Sequence, residues 1–308
     1  MGIDRRIFLL GIGAGVAAAP AFRPATKTES LQAIDTTPHV WNPKRSIGVP
    51  WRPEGEGVSA RQLKETAPKE VVGAVVVECS PWLEDNLWLL DAVADEPFVV
   101  GVVGNLRPDD KGFGEYVERY NRHPLYLGIR HGNIWPGYDL PQQIKNPLFL
   151  EGLKLLAQAD LALDLANPRM DLLEAAVRIN DAAPDLRVIV DHLGVFRPKQ
   201  EEWPAVDAIL REYAQRPNIY GKLSALRPQS ELPPDQFVAA ERERLDRFYE
   251  AFGEDRIFGG AYLGPNALPY SKEYLAGKSP AAQEKFFWKN SARIYKWTPR
   301  TPEQPSLA

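Results

Sequence analysis

The chain has 308 residues, of which 44% are hydrophobic and 25% charged, and its formal net charge is -4. This composition is typical of a globular protein, and the lack of a basic excess argues against nucleic acid as a partner. The single cysteine, Cys79, excludes an internal disulfide and a thiolate metal cluster. The length fits one barrel or two smaller domains.

Residues 1–30 have the pattern of an export signal. Arg5 and Arg6 precede an apolar run from about Ile7 to Ala19, as in a bacterial twin-arginine (Tat) signal peptide. The run is too short and too rich in glycine and alanine to span a bilayer permanently. We therefore expect the Tat export machinery as a partner, a periplasmic location, and no stable membrane insertion after signal cleavage. An uncleaved apolar anchor is the alternative.

Short apolar, β-branched runs in the rest of the chain predict eight strands, and the segments between them have helical spacing. Apolar strands that alternate with amphipathic helices indicate a parallel sheet buried on both faces. Eight such units favour the α/β class and one (β/α)8 TIM barrel over residues 31–308. No glycine-rich loop follows the first strand, which weakens a nucleotide-binding sheet. The predicted strands are Leu31–Asp35, Gly73–Glu78, Phe98–Val103, Leu125–Arg130, Leu161–Leu165, Val188–Asp191, Ile219–Leu223 and Ile257–Gly260.

The segment from Trp41 to Gln62 is rich in proline, glycine and tryptophan and predicts a long loop over the mouth of the barrel. Aromatic side chains in such loops either form a sugar-binding lining or pack the loops together, and both interpretations stay open. The tryptophans concerned are Trp41, Trp51, Trp82 and Trp135.

Polar residues at the ends of the predicted strands are the candidates for function, because barrel active sites lie at the carboxyl ends of the strands. Three of the four histidines, His39, His131 and His192, fall on this rim. His123 precedes the fourth strand and belongs to the opposite end. This clustering indicates a functional site, although a single rim histidine is as often a structural residue.

Five motifs resemble the amidohydrolase-related family (amidohydrolase 2), in its lactonase-like branch. Together they span about residues 31 to 295. The resemblance implies a barrel, a hydrolase-type site, and small substrates such as sugar lactones or related cyclic esters. The motifs lie at Ile34–Trp41, Gly128–His131, Val190–Gly194, Tyr220–Leu226 and Asp255–Tyr262.

The chain departs from the family pattern at two positions that the resemblance implies are metal ligands or proton carriers. Thr37 stands in place of the first metal histidine, and Ala261 in place of the eighth-strand aspartate. A neutral hydroxyl is a weak zinc ligand and a methyl group is none. His39 and His192 remain as ligands, and a third would have to be Glu78, Asp164 or His131. We therefore expect no tightly bound metal, with zinc as the less favoured alternative.

A lactonase-like site without metal needs a base that activates water and a cation that stabilises the oxyanion. We predict that His192 is the base and that Arg130 or Lys222 holds the substrate, with His39 as a further catalytic residue. The predicted substrate-binding residues are His131, Asn133, Glu78, Asp164 and Tyr262.

Structural roles are the alternative for several of these residues. Arg130 is equally suited to pair with Asp164 or Glu78, and Lys222 to be a satisfied interior lysine. Asp191 is placed to cap the next helix. The loss of two family positions also leaves a non-catalytic small-molecule binding protein as a second function. A metal enzyme, or a decarboxylase, lyase or isomerase on the same barrel, is a third.

Overall fold

Strands and helices alternate along the described part of the chain, which in the computed structural model is residues 31–50, 52, 54–226, 232–259 and 267–307. A 3₁₀ turn spans Gln200–Glu202 and a π-helix spans Lys285–Lys289. The strands are β1 (Ala33–Asp35), β2 (Val71–Val77), β3 (Val99–Gly104), β4 (Tyr126–Gly132), β5 (Ala162–Ala166), β6 (Arg187–Val190), β7 (Ile219–Lys222) and β8 (Ile257–Phe258). The helices are α1 (Ala60–Thr66), α2 (Asp85–Val93), α3 (Phe113–Asn121), α4 (Leu140–Gln143), α5 (Pro147–Gln158), α6 (Met170–Ala182), α7 (Trp203–Ala214), α8 (Pro234–Phe252), α9 (Ala267–Leu275), α10 (Pro280–Glu284) and α11 (Asn290–Tyr295).

Residues 1–30 lie outside the described residues, so the export signal, the Tat machinery and the periplasmic location stay predictions. From Leu31 onward the described chain forms one folded unit. Within the described ranges, no helix has the length and apolar character needed to cross a membrane.

The described strands are all parallel and pair in chain order from β1 to β8. Their bounds agree with the predicted strands to within two residues, and the predicted (β/α)8 barrel is confirmed. The π-helix lies against both β1 and β8. The backbone N–H of Gly259, just after β8, donates to the carbonyl of Phe286 in that π-helix at 3.1 Å. The C-terminal segment that contains this π-helix therefore packs at the place where the first and last strands of the barrel lie.

Each strand presents one face to the helices and the other to the barrel interior, because successive side chains in a strand alternate. Val76, Leu163 and Val190 belong to the large apolar cluster under the helices. Val75 and Ile189 belong to a smaller cluster inside the barrel. Burial on both faces is the reason that the strands appear in the sequence as continuous apolar runs.

Proline marks the start of many helices. The first turn of α4, α5, α7, α8 and α10 contains proline, where its missing N–H costs no helical hydrogen bond. Helix α1 begins instead with a capping box, in which the Ser59 hydroxyl accepts from the Gln62 N–H and the Gln62 side chain accepts from the Ser59 N–H. These local signals mark the residues at which the helices begin.

The barrel interior changes from apolar to charged toward the carboxyl ends of the strands. The register sets Arg130 of β4 beside Asp164 of β5. Asp191 follows β6 directly, and Lys222 is the last residue of β7. Both signs of charge therefore meet inside the barrel at the end where active sites of this fold lie.

Candidate active site

An ionic cluster of Lys222, Asp164, Asp191 and Tyr295, which we call the floor, closes the inner end of the site. Nζ of Lys222 lies 2.7 Å from Asp164 Oδ2 and 2.8 Å from Asp191 Oδ1. The Tyr295 hydroxyl donates to Asp164 Oδ2 at 2.7 Å. Burial lowers the pKa of Lys222, but attraction from the two carboxylates outweighs it, so the net shift is upward and the ammonium stays charged.

The contacts of the floor decide two questions that the sequence leaves open: whether Lys222 is a satisfied interior lysine, and whether Asp191 caps the next helix. Lys222 and Asp164 have no exposed surface, and their polar atoms bond to each other, to Tyr295 and to the carbonyl of Thr36. Lys222 is thus a satisfied interior lysine, and the predicted substrate contacts of Lys222 and Asp164 stay predictions. Asp191 pairs with Lys222 instead of capping the next helix.

Arg130 pairs with Glu78 and not with Asp164. Its Nε donates to Glu78 Oε1 at 2.7 Å and its Nη2 to the Glu78 carbonyl at 2.8 Å. Burial lowers the pKa of Arg130, but Glu78 and the floor carboxylates raise it more, so the guanidinium is charged. Among the described residues, Nη1 makes no hydrogen bond. Glu78 therefore orients Arg130 and leaves one pair of N–H groups for another acceptor.

His39 lies on the segment directly after β1, and its Nδ1 is 2.9 Å from the Val77 carbonyl oxygen. Because a carbonyl only accepts, Nδ1 carries the proton and Nε2 of the neutral ring carries the lone pair. Burial, and then the charge of Arg130, lower the pKa of His39 to about 3. The imidazole is therefore neutral at physiological pH, with a defined tautomer.

His192 follows β6, is partly buried, and places its Nδ1 3.0 Å from the Ser224 hydroxyl oxygen. Its pKa is lowered to about 3 by burial, and further by Arg130 and Lys222. The charge of Arg130 lowers the pKa of both imidazoles, and protonation of His192 would lower the pKa of His39 further. His39 and Arg130 also bond to the consecutive carbonyls of Val77 and Glu78, and we call the group of His39, Arg130 and His192 the cup.

His131 lies outside the cup, contrary to the predicted convergence of three histidines. It is fully buried on the helix side of β4, stacked on Tyr138 with ring centroids 4.5 Å apart and edge-on to Phe149 at 5.3 Å. Its Nδ1 accepts from the Gly132 N–H at 2.8 Å, and its Nε2 is buried with no hydrogen-bond partner among the described residues. Neighbouring strand residues face opposite sides, so the inward position of Arg130 turns His131 outward.

Of two other predicted binding residues, the structure describes Asn133 but not Tyr262. Asn133 follows β4, and its carbonyl accepts from Asn167 Nδ2 at 3.2 Å. The Nδ2 of Asn133 is buried and finds no hydrogen-bond partner in the described part of the chain. Tyr262 lies outside the described residues, as does Ala261, so the binding role of Tyr262 stays a prediction.

The donors around the cup do not fit a tightly bound divalent metal. The Thr37 hydroxyl donates to Asp35 Oδ1 at 2.9 Å and is a weak zinc ligand. His39 and His192 are in the neutral form that binds metal, but the floor carboxylates are paired with Lys222, whose charge repels a divalent cation. Over the described ranges, no three His, Cys, Asp or Glu side chains are grouped to hold an ion. The absence of a metal cofactor nevertheless stays a prediction.

The described part of the long loop after β1 is closed by a short antiparallel backbone pairing. Trp41 and Val58 exchange two backbone hydrogen bonds of 3.0 and 2.9 Å. The Arg52 guanidinium lies 5.3 Å from the centre of the Trp41 ring, and Trp82 is 36% exposed. Trp51 lies outside the described residues, so the aromatic lining stays a prediction.

Several arginines that lie near or after the carboxyl ends of strands are each paired with a carboxylate. Much of the positive charge around the mouth is therefore neutralised within the protein. The pairs are Arg45 with Asp85 at 2.7 Å, Arg107 with Asp109 at 3.2 Å, Arg130 with Glu78 at 2.7 Å, and Arg197 with Glu241 at 3.2 Å.

Ser224 and Tyr295 belong to the site, although we predict no role for them from sequence. Ser224 bonds to His192 and lies within the motif Tyr220–Leu226, so it carried a signal. Tyr295 bonds to Asp164 across 131 residues of sequence, and no motif marks it.

Comparison with known proteins agrees with this architecture. Residues 44–297 match the amidohydrolase family. The L-fucono-1,5-lactonase of Burkholderia ambifaria is 27% identical over 242 residues, which cover 74% of this chain and 79% of the relative. An amidohydrolase from Burkholderia multivorans, crystallised with bound zinc, gives a TM-score of 0.72 at 19% identity, with 87% of this chain and 100% of that chain covered. A putative 2-pyrone-4,6-dicarboxylic acid hydrolase from Pseudomonas putida gives 0.66 at 16% identity, with 86% and 98% covered. The two structural likenesses concern the fold.

Proposed function

The chain belongs to the amidohydrolase family, and on that premise we propose that it hydrolyses a small, uncharged lactone or similar cyclic ester without a tightly bound metal. The observation that carries the proposal is the cup. His39 and Arg130 bond to consecutive carbonyls at the end of β2, and burial together with the charge of Arg130 keeps both His39 and His192 neutral, at the end of the barrel where this fold binds substrates.

His192 is the general base of the proposed reaction. It is the less buried of the two imidazoles, and its low pKa keeps it neutral at physiological pH. When the Ser224 oxygen accepts a hydrogen bond from Nδ1, Nε2 carries the lone pair that takes a proton from water. An imidazole of such low pKa is a weak base, so proton transfer becomes favourable only as negative charge develops on the substrate.

Arg130 stabilises that negative charge. Glu78 fixes the guanidinium through Nε and Nη2, so Nη1 approaches the substrate carbonyl oxygen from a preset direction. Hydrogen-bond donors that are oriented before reaction stabilise an oxyanion without further reorganisation. The burial of Arg130 strengthens this interaction because little water screens it.

The proposed reaction conserves protons and electrons. Water adds to the carbonyl carbon while Nε2 of His192 takes one of its protons and the carbonyl electron pair moves onto oxygen. Nε2 of His39 accepts a hydrogen bond from the second O–H of the water and so orients the water, and that hydrogen stays on the adding oxygen. The intermediate then collapses, the ring C–O bond breaks, and the ring oxygen leaves with the electron pair and takes the proton from His192. The product is an open-chain hydroxy acid.

The paired arginines support an uncharged substrate. A dicarboxylate would have to compete with Asp85 and Asp109 for the guanidinium groups of Arg45 and Arg107, which these carboxylates already occupy. A lactone that carries hydroxyl groups needs no cation beyond Arg130. The lactone named for the Burkholderia ambifaria relative is of this kind.

Lactone hydrolysis by the purified chain tests the proposal. The assay uses a panel of neutral aldonolactones and a matched panel of lactones that carry carboxylates, each with and without chelator. We expect turnover of neutral lactones that chelator does not change. His192→Ala should lower kcat by about 10²–10⁴-fold. The control His123→Ala, on the segment that precedes β4, should retain full activity.

Two results would overturn the proposal. One is turnover that requires an equivalent of bound zinc. That result would show that other residues replace the metal ligands that the family has at the positions of Thr37 and Ala261. The other is thermal stabilisation by lactones without any hydrolysis, which would identify a non-catalytic binding protein on the same barrel. Metal content is measured on the same preparation, so that the two results are separated.

A further inference from the structure

His192 has an unusual backbone conformation for its position. Its φ is +59°, in the left-handed region that residues with a Cβ atom rarely adopt. Asp191 points into the barrel toward Lys222. Simple strand alternation would therefore send the next side chain outward to the helices. The left-handed turn reverses that direction and brings the imidazole to Ser224 instead.

The turn after His192 is packed closely against the segment that follows β7. The Leu193 N–H donates to the Lys222 carbonyl at 3.1 Å, and the Val195 N–H donates to the His192 carbonyl at 3.0 Å. A Cβ atom on Gly194 would lie 2.2 Å from the Ser224 carbonyl oxygen. Only glycine allows this approach, so the turn and the Ser224 segment form one rigid contact.

Arg244 of α8 binds three carbonyl groups of this turn. Its Nη1 donates to the carbonyls of Leu193 and Phe196 at 3.2 and 2.9 Å, and its Nη2 donates to that of Gly194 at 3.0 Å. Its Nε donates to Glu241 Oε2 at 2.6 Å. Arg244 as a whole residue is 9% exposed and reaches the turn from α8.

A second arginine extends the same attachment. Glu241 also pairs with Arg197 at 3.2 Å, so the turn is bound to α8 on both sides of Phe196. Strained backbone persists only where the surrounding structure holds it, and Arg244 supplies donors to three carbonyls that directly follow the strained residue His192. A single planar guanidinium reaches all three, which an ammonium group does not.

We propose that Arg244 is a positioning residue that holds His192 in the left-handed conformation and so aims its imidazole into the cup. The expected loss of kcat in an Arg244 variant rests on the proposed function. The expected displacement of the His192 side chain does not depend on any substrate. Arg244 itself contacts main-chain carbonyls and Glu241, and it takes no part in the chemistry.

The chain provides a matched control at the opposite end of the barrel. Arg256 directly precedes β8, and its guanidinium donates to the carbonyls of Tyr213, Arg216 and Ile219 at 2.8, 2.9 and 3.0 Å. Arg256→Met and Arg244→Met thus remove the same kind of carbonyl-binding group. Both should lower the thermal midpoint, but only Arg244→Met alters the cup.

The primary measurement is the ¹⁵N and ¹H NMR spectrum of the histidine side chains, which number four in the sequence. Arg244→Met should shift the His192 signals and leave those of His39 in place, whereas Arg256→Met should shift neither. Arg244→Lys retains the charge and is measured in parallel, so that a poorly folded Met variant does not end the test. Unchanged His192 signals in both Arg244 variants would overturn the inference, as would an equal shift in Arg256→Met.

The kinetic measurement follows with a neutral lactone. Arg244→Met should lower kcat by about 10²-fold, because a displaced base misses the reacting geometry, while KM changes much less. An equal loss of kcat in Arg256→Met would contradict the inference. If the wild-type chain hydrolyses no lactone, the proposed function fails, yet the NMR comparison still decides whether Arg244 positions His192.

Discussion

Replacing His131 with phenylalanine isolates the contribution of one buried imidazole to the pH dependence of stability. His131 is fully buried between Tyr138 and Phe149, and a phenyl ring retains both aromatic contacts. The substitution removes a titrating group and also removes Nε2, which has no hydrogen-bond partner among the described residues. It leaves the cup and the floor unchanged.

The expected magnitude follows from the difference in pKa between the folded and unfolded chain. Burial lowers the pKa of His131 from 6.5 to about 3. At pH 5 the unfolded chain therefore binds this proton and the folded chain does not, so acid favours unfolding. Stability from this group is complete above the unfolded pKa and falls as the pH drops toward the folded pKa. Between pH 7 and pH 5 the loss is about 2 kcal/mol.

Urea unfolding at pH 7 and pH 5 measures this loss. Other groups with shifted pKa, such as Asp164, contribute equally to wild type and variant and cancel in the comparison. We expect His131→Phe to lose about 2 kcal/mol less than wild type over this interval. Phe149→Leu perturbs the same aromatic cluster without a titrating group and should show the same change in unfolding free energy at both pH values. Equal losses for wild type and His131→Phe would refute the reasoning.

Three further substitutions test the barrel and the cup. Lys222→Met leaves the two floor carboxylates without their cation and should reduce the free energy of unfolding by about 3–5 kcal/mol at pH 7; a neutral effect in urea unfolding would show that the floor is hydrated. Gly128→Ala would place a Cβ atom 2.3 Å from the Ala162 carbonyl oxygen, so we expect a lower thermal midpoint by calorimetry, and an unchanged midpoint would contradict the β4–β5 register. Arg130→Lys retains the charge but loses the planar fork that holds Glu78, and kcat for lactone hydrolysis should fall by about 10-fold or more. Full activity in this variant would remove Arg130 from the proposed mechanism.

The barrel could be predicted from the sequence because its signals are local. Val71–Val77 and Val99–Gly104 are continuous apolar runs, and that pattern arises only where a strand is covered on both faces. The family match begins at residue 44, after the motif at Ile34–Trp41, so the family assignment does not depend on the first-strand motif.

The positions of the site residues along the chain were easier to predict than the directions of their side chains. His39, Arg130 and His192 could be placed on one rim because Arg130 ends a predicted strand and the two histidines closely follow one. The outward direction of His131 follows from alternation with Arg130 and was available from the sequence. The inward direction of His192 was not, because the left-handed turn breaks that same alternation.

The sequence by itself determined the strand order, the family and the residue types at the mouth, since these depend on periodicity and short motifs. Only the tertiary structure decided which charges are paired within the protein and which groups remain for a substrate. Glu78 and Asp164 are both carboxylates next to Arg130, yet one orients the guanidinium and the other binds Lys222. That choice depends on distances of a few ångströms between residues far apart in the chain, because the strength of a buried ion pair falls steeply with separation and with exposure to water.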